Sequence, residues 1–338
     1  MSKNIKTRVG SSSQPPFYTK QKLWTKPFIL TVIIVLTLAI VSLFTGVYDL
    51  KGQADGLNMF FITRVPRTIA LMLTGSAMAM AGLVMQLITQ NRFVEPTTTG
   101  TIEWSGLGLL LVYLVFPSPS LVLRMSGAIL FSFVGTMIFF LFLRRVELRS
   151  SLIVPIIGMM LRAVISAVST FVGLVFQMTQ NIQSWYVGSF APVQIGRYEY
   201  LWLIIAITLL IFLYADRLTL AGLGEDFVTN LGENYNKIVL LGTILISFAV
   251  GIVAAVIGNL PFLGLIVPNI VSIFRGDDLR SNLPWICLVG SGIITACDIL
   301  SRTLIMPFEV PVSLILGTLG AFVFIVILLS QRKARGMQ

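Results

Sequence analysis

Histidine is absent from the 338 residues, and cysteine occurs twice. The first absence removes the most common metal-ligating side chain and the usual general base. Cys287 and Cys297 both lie in apolar segments and form neither a disulfide framework nor a metal-binding set. Charge is scarce too: charged residues make up 11% of the chain, about half of what a soluble domain carries. No Gly-x-x-x-x-Gly-Lys-Ser/Thr sequence occurs, which excludes a P-loop nucleotide site. There is no paired-aspartate or Ser/Lys arrangement that would suit an intramembrane enzyme. The residues therefore predict no catalytic group, no metal site and no cofactor held by this chain.

Apolar sequence fills the space these absences leave. The chain is 56% hydrophobic, with a mean hydropathy of +0.91. Runs near twenty residues recur, and each can cross the hydrocarbon core of a bilayer as a helix. The fold class expected is an all-α polytopic membrane protein with about ten transmembrane helices. The spans are predicted at 27–47, 68–88, 100–116, 121–143, 151–175, 200–214, 238–257, a broken one over 260–274, 284–300 and 310–330. One transmembrane domain then covers 27–330, between a polar, basic tail at 1–26 and a short tail at 331–338. The first tail is long and has no small-residue cleavage site after the first apolar run, so a removable signal peptide is not expected.

With the N-terminus inside, ten crossings leave 17 Lys and Arg on the cytoplasmic side and 6 on the other, with Arg162 inside a span. That asymmetry is the positive-inside pattern. Both termini are expected in the cytoplasm, and the net charge of +10 is explained by the bilayer, with no nucleic acid required.

Four constellations stand out. In RVPRTIALMLTGSAMAMAGLVMQLITQNRFVEPTTTG, residues 64–100, Gly75, Ala79, Gly82 and Gln86 share one helix face. Small residues at this spacing let a second backbone approach closely in lipid, and Gln86 turns the face inward. Tight packing and a transport path both fit. Arg64, Arg67 and Arg302 sit at helix ends on the side where positive charge is not favoured; they suit docking onto carboxylates of a partner or an anionic solute, or snorkelling to lipid headgroups.

The cytoplasmic loop 215–237 carries Gly222, Leu223, Gly224, Glu225, Asp226, Phe227, Val228, Leu231 and Gly232. Residues 225–231 suit a short amphipathic helix with Phe227, Val228 and Leu231 on one face. Such a face needs a cover, either a soluble partner or the chain's own helix ends. Finally, the Pro- and Gly-bearing pieces at 91–100, with Glu95 and Pro96, and at 258–269, with Pro268 and Asn269, break the backbone at membrane depth. Broken backbone is tolerated there against protein or a wet cavity, as a pathway, a hinge or a kink. Arg162, Glu103 and Asp298 are the ionisable groups expected in or at the edge of spans.

The segments 64–100, AGLGEDFVTNLG, GNLPFLGLIVPNIVSIFRGDDLRSNLPW and DILSRTLIMPFEVPVSLILGTLGAFVFIVIL together resemble the FecCD family, permease subunits of ABC importers for iron–siderophore complexes, haem and vitamin B12. The similarity runs over 27–330. It implies the type II ABC importer permease fold in the bacterial plasma membrane, paired with an identical or homologous second permease. It also implies an extracytoplasmic siderophore-binding protein docking on Arg64, Arg67 and Arg302, and two cytoplasmic ATPase subunits, which hold ATP and Mg2+. The coupling helix matches Gly222–Gly232. Gly75, Ala79, Gly82, Gln86, Glu95, Pro96, Arg162, Pro268 and Asn269 are candidates for the translocation path or its gate.

Two departures matter. Asn269 stands where the family commonly has histidine, which removes a proton-sensitive role and keeps a hydrogen-bonding one. Glu95-Pro96-Thr97-Thr98-Thr99-Gly100 replaces the more frequent Asp-Pro…Leu-Gly and resembles a subgroup associated with catecholate siderophores, petrobactin among them. Haem or vitamin B12 is the alternative cargo. A secondary transporter driven by an ion gradient is the alternative class, one that should carry an ionisable coupling site in its spans.

Overall fold

The computed structural model describes residues 25–46, 55–146, 153–276 and 279–335, without the side chains of 327, 328 and 330–335. Most of the expected N-terminal tail, Lys51, Arg149 and the last three residues lie outside the described residues. In chain order the helices are α1 (Lys26–Phe44), α2 (Gly56–Met59), α3 (Val65–Ile88), α4 (Thr101–Val115), α5 (Leu121–Leu143), α6 (Ile153–Val175) and α7 (Thr179–Tyr186). They continue with α8 (Leu203–Leu213), α9 (Ala215–Ala221), α10 (Glu225–Asn230), α11 (Tyr235–Val256), α12 (Leu263–Arg275), α13 (Leu279–Thr303) and α14 (Val312–Arg335). The chain is an all-α polytopic membrane protein. Among the described residues, six helical runs are long and apolar enough to cross a bilayer, or seven if the bent pair Tyr198–Leu213 and α9, which meet at 65°, is one span. Three further apolar helices, α4, α12 and Val312–Val326, are shorter.

α3 is the hub. α13, α11 and α12 pack around it, and α5 lies between α4 and α11. Its small face explains the arrangement. A Cβ on Gly82 would fall 2.0 Å from the Gly264 carbonyl oxygen, and one on Gly75 would fall 2.6 Å from that of Gly290, so α12 and α13 cross α3 at backbone contact. α1 and α6, at the periphery, leave most of their surface uncovered.

Three boundaries differ from expectation, each for a local reason. The second span begins at Gly56, not near 68, because Leu57, Phe60 and Phe61 continue the apolar run through a π-helical turn at Phe60–Arg64. Pro66 cannot return a hydrogen bond to Ile62, and the Ile62 carbonyl accepts the Ile195 N–H instead, at 3.2 Å.

α3 ends at Ile88, where the span was expected to end. Gln90 takes the left-handed conformation (φ 49°), its N–H bonds Leu87 O at 3.0 Å and the Asn91 N–H bonds Gln86 O at 2.9 Å. This is a Schellman ending with glutamine in glycine's usual place. α12 runs unbroken through Pro268, and the interruption lies before it, between Val256 and Leu263. Last, the span predicted at 200–214 begins as a 3-10 turn at Tyr198–Trp202, and the loop expected at 215–237 holds a further helix, α9, besides the expected α10.

Candidate functional site

Three places in this frame collect the residues singled out by the sequence. The first is the end of the bundle where α3 begins and α13 finishes. Arg67 points its Nε and Nη2 at Asp298 Oδ1 (3.2 and 2.8 Å) and its Nη1 and Nη2 at the two oxygens of Glu309, both at 2.9 Å. Arg302 lies one turn beyond Asp298 on α13. Its Nη2 is 2.8 Å from Asp298 Oδ2 and donates to Ser42 Oγ, while its Nη1 donates to the carbonyls of Ser42 and Thr45. Asp298 is fully buried. Two guanidiniums thus share one carboxylate in the interior, with their other donors occupied, and this is the condition under which buried charge is tolerated.

Arg64 lines the same cavity, of about 280 Å³, with Thr63, Arg67, Arg302 and Glu309. It forms no ion pair among the described residues. Three guanidiniums against two carboxylates leave the cavity with one surplus positive charge. The structure therefore brings Arg64, Arg67 and Arg302 together but corrects their expected form. None of the three is an open surface cation, because all are buried, and Arg67 and Arg302 are also committed to carboxylates within this chain. Asp298 was expected as an ionisable group without an assigned partner, and Glu309 was passed over. The Asp298–Arg302 spacing of four residues on one helix was the available signal.

The second place is the junction of the two broken stretches. Glu95 is fully buried, and its Oε1 accepts the Phe262 N–H at 2.9 Å just ahead of α12. Thr97 Oγ1 donates to the same oxygen. Asn269 Nδ2 donates to the carbonyls of Leu265 (2.7 Å) and Arg92 (2.9 Å), a second tie between the stretches. Pro268 has no N–H for the carbonyl of Gly264, four residues back, and Gln86 Nε2 donates to that oxygen at 3.2 Å. Gln86, Glu95 and Asn269 thus close the gaps left by interrupted backbone. Gly75, Ala79 and Gly82 are buried at helix crossings, with protein and not open space against them. Arg162 sits apart, on α6, half-exposed and paired with Glu103 at 2.7 Å.

The third place is α10. Gly224 (φ 106°) precedes it and Gly232 (φ 80°) follows it. The Gly232 N–H bonds Thr229 O and the Glu233 N–H bonds Val228 O, a Schellman ending. Glu225 and Asp226 occupy the first turn, where acidic side chains suit the helix dipole. Leu223, Phe227 and Leu231 are exposed at intervals of four, forming an apolar stripe. Val228, expected on that stripe, is instead fully buried and pins α10 to the bundle. Beneath it, Gly222 and Leu223 share a cavity of about 290 Å³ with Gln86, Asn91, Asn269 and Asn282.

The comparisons with known proteins agree across nearly the whole length. The chain is 76% identical over 332 residues to the petrobactin import system permease protein FatD of Bacillus anthracis, covering 98% of this chain and 99% of the relative. It is 41% identical to the petrobactin import system permease protein YclN of Bacillus subtilis, covering 89% and 97%. A solved ABC transporter of metal-chelate type, in an inward-facing conformation, superposes with a TM-score of 0.75 at 26% identity, covering 89% of this chain and 97% of the other. Residues 25–330 match the FecCD transport family, and the chain is a membrane permease belonging to that family.

Proposed function

We propose that this chain is the transmembrane subunit of an ATP-driven importer of ferric siderophore, with petrobactin as cargo. The observation that carries the reading is the 76% identity, over almost all of both chains, to a petrobactin import permease. Ten crossings in the type II permease arrangement, with both termini cytoplasmic, account for the six long helices, the bent pair and the three shorter apolar ones. A binding protein outside the membrane delivers the ferric chelate to the arginine-bearing end. Arg64 is the docking cation there, and Arg67 and Arg302, fastened to Asp298 and Glu309, form its support. The stripe of Leu223, Phe227 and Leu231 on α10 seats in an ATPase subunit on the cytoplasmic side. A second permease, identical or homologous, completes the passage. ATP and Mg2+ belong to the ATPase partners, and the cargo passes chemically unchanged.

The test is uptake of 55Fe-labelled ferric petrobactin into proteoliposomes holding this chain with its candidate ATPase, second permease and binding protein. Uptake should require ATP, and Arg64→Glu should lower it at least tenfold by weakening the docking of the binding protein. Uptake that proceeds without the ATPase would overturn the importer reading. Undiminished uptake by Arg64→Glu would leave the importer and remove Arg64 from the docking site.

A further inference from the structure

Arg162 is the only charged residue of α6 and lies near the middle of that helix, at the margin between its buried side, with Gly158 and Ile165, and exposed Met159 and half-buried Ser166. Its Nε is 2.7 Å from Glu103 Oε1, yet 46% of its side chain is exposed, against 4% for Glu103. The other oxygen of Glu103 is buried and receives no hydrogen bond. The pair is rigidly placed. Glu103 stands in the first turn of α4, and α6 lies directly on the stretch before it: a Cβ on Gly158 would fall 2.6 Å from the Thr98 carbonyl oxygen, and one on Gly100 would fall 3.2 Å from Arg162 Cα.

An arginine halfway along an apolar span is strongly disfavoured against lipid tails and turns toward protein or a water-filled passage. Its planar fork offers two edges. With Nε on a buried carboxylate, the guanidinium still shows an edge outward, and such an edge suits a bidentate oxyanion. Glu103 also tempers the charge. An unpaired cation would hold an anionic solute tightly, whereas a half-neutralised one attracts and releases it.

We propose that the Arg162 face of α6 lines the passage, and that Arg162, positioned by Glu103, contacts the anionic catecholate or carboxylate oxygens of the ferric chelate. This rests on the importer reading above and adds a cargo-contacting residue to it.

The test uses the reconstituted complex with Cys287 and Cys297 replaced by alanine. In that background Arg162→Cys is treated with 2-sulfonatoethyl methanethiosulfonate, an anionic thiol reagent that does not enter lipid. Separately, Arg162→Gln and Arg162→Lys are compared for 55Fe-labelled ferric petrobactin uptake and for ATP hydrolysis stimulated by the loaded binding protein. The expected result is labelling of the Arg162→Cys variant. Arg162→Gln should lose uptake at least tenfold with stimulated hydrolysis retained, and Arg162→Lys should keep at least a third of wild-type uptake. Failure of the labelling would place this face against lipid or protein and overturn the proposal, as would wild-type uptake by Arg162→Gln. Because labelling needs no transport, it separates a failure of this proposal from a failure of the importer reading, which would show as wild-type uptake independent of ATP.

Discussion

At the scale of single residues, Asp298 and Gln86 each solve a problem set by a neighbour. Asp298 compensates two buried guanidiniums, so Asp298→Ala should cost about 3–5 kcal/mol. A lowered unfolding temperature of the detergent-solubilised protein would register it, and an unchanged one would mean that Glu309 and the carbonyls suffice. Gln86 satisfies the carbonyl that Pro268 leaves unpaired. Gln86→Leu, close in volume, should cost about 1–3 kcal/mol for the orphaned oxygen. Pro268→Ala restores a backbone N–H for Gly264 O, so the double variant should recover much of that loss; absence of recovery would refute the pairing. Such roles were partly legible beforehand. The inward facing of Gln86 follows from its place on the small-residue stripe. Its partner does not, because the partner is created by a proline 182 positions away in the chain.

Elements show a sharper division between what periodicity reveals and what packing decides. Residues 225–231 announce an amphipathic helix, and α10 is there. Phe227, Val228 and Leu231 fall within one arc of a helical wheel, however, and only contact with the bundle determines that Val228 turns inward while its neighbours stay outside. The two kinds of residue should respond differently. Phe227→Ala with Leu231→Ser should leave the unfolding temperature unchanged while lowering ATP-dependent uptake at least tenfold, through loss of the ATPase contact. Val228→Asp should instead destabilise the protein, since it buries a charge with no partner. Equal stability of the two variants would count against this division. The long apolar spans were legible because length and hydropathy alone specify them. The breaks were legible in place, since the gaps after Ile88 and before Leu263 fall at or within the expected stretches, but not in cause: a left-handed Gln90 ends α3, and α12 runs unbroken through Pro268.

For the whole molecule, charge asymmetry and span count together predict which loops share a side. An anionic maleimide that does not cross membranes should label Ser120→Cys, in the turn between α4 and α5, in intact cells of a Cys287→Ala, Cys297→Ala background. It should label Glu233→Cys, between α10 and α11, only after the membrane is opened. Labelling of both in intact cells would refute the orientation. The tie between the two broken stretches also bears on how such a molecule changes shape. Glu95 and Asn269 bridge them with hydrogen bonds, and α12 meets α3 at backbone contact. Mechanically, this makes α3, the stretch after it and α12 a single strut, stiff where unwound chain would otherwise flex. Under the ATPase contact proposed for α10, a push there would not be absorbed at the interruptions, and the 65° elbow between α8 and α9 would be where the chain bends.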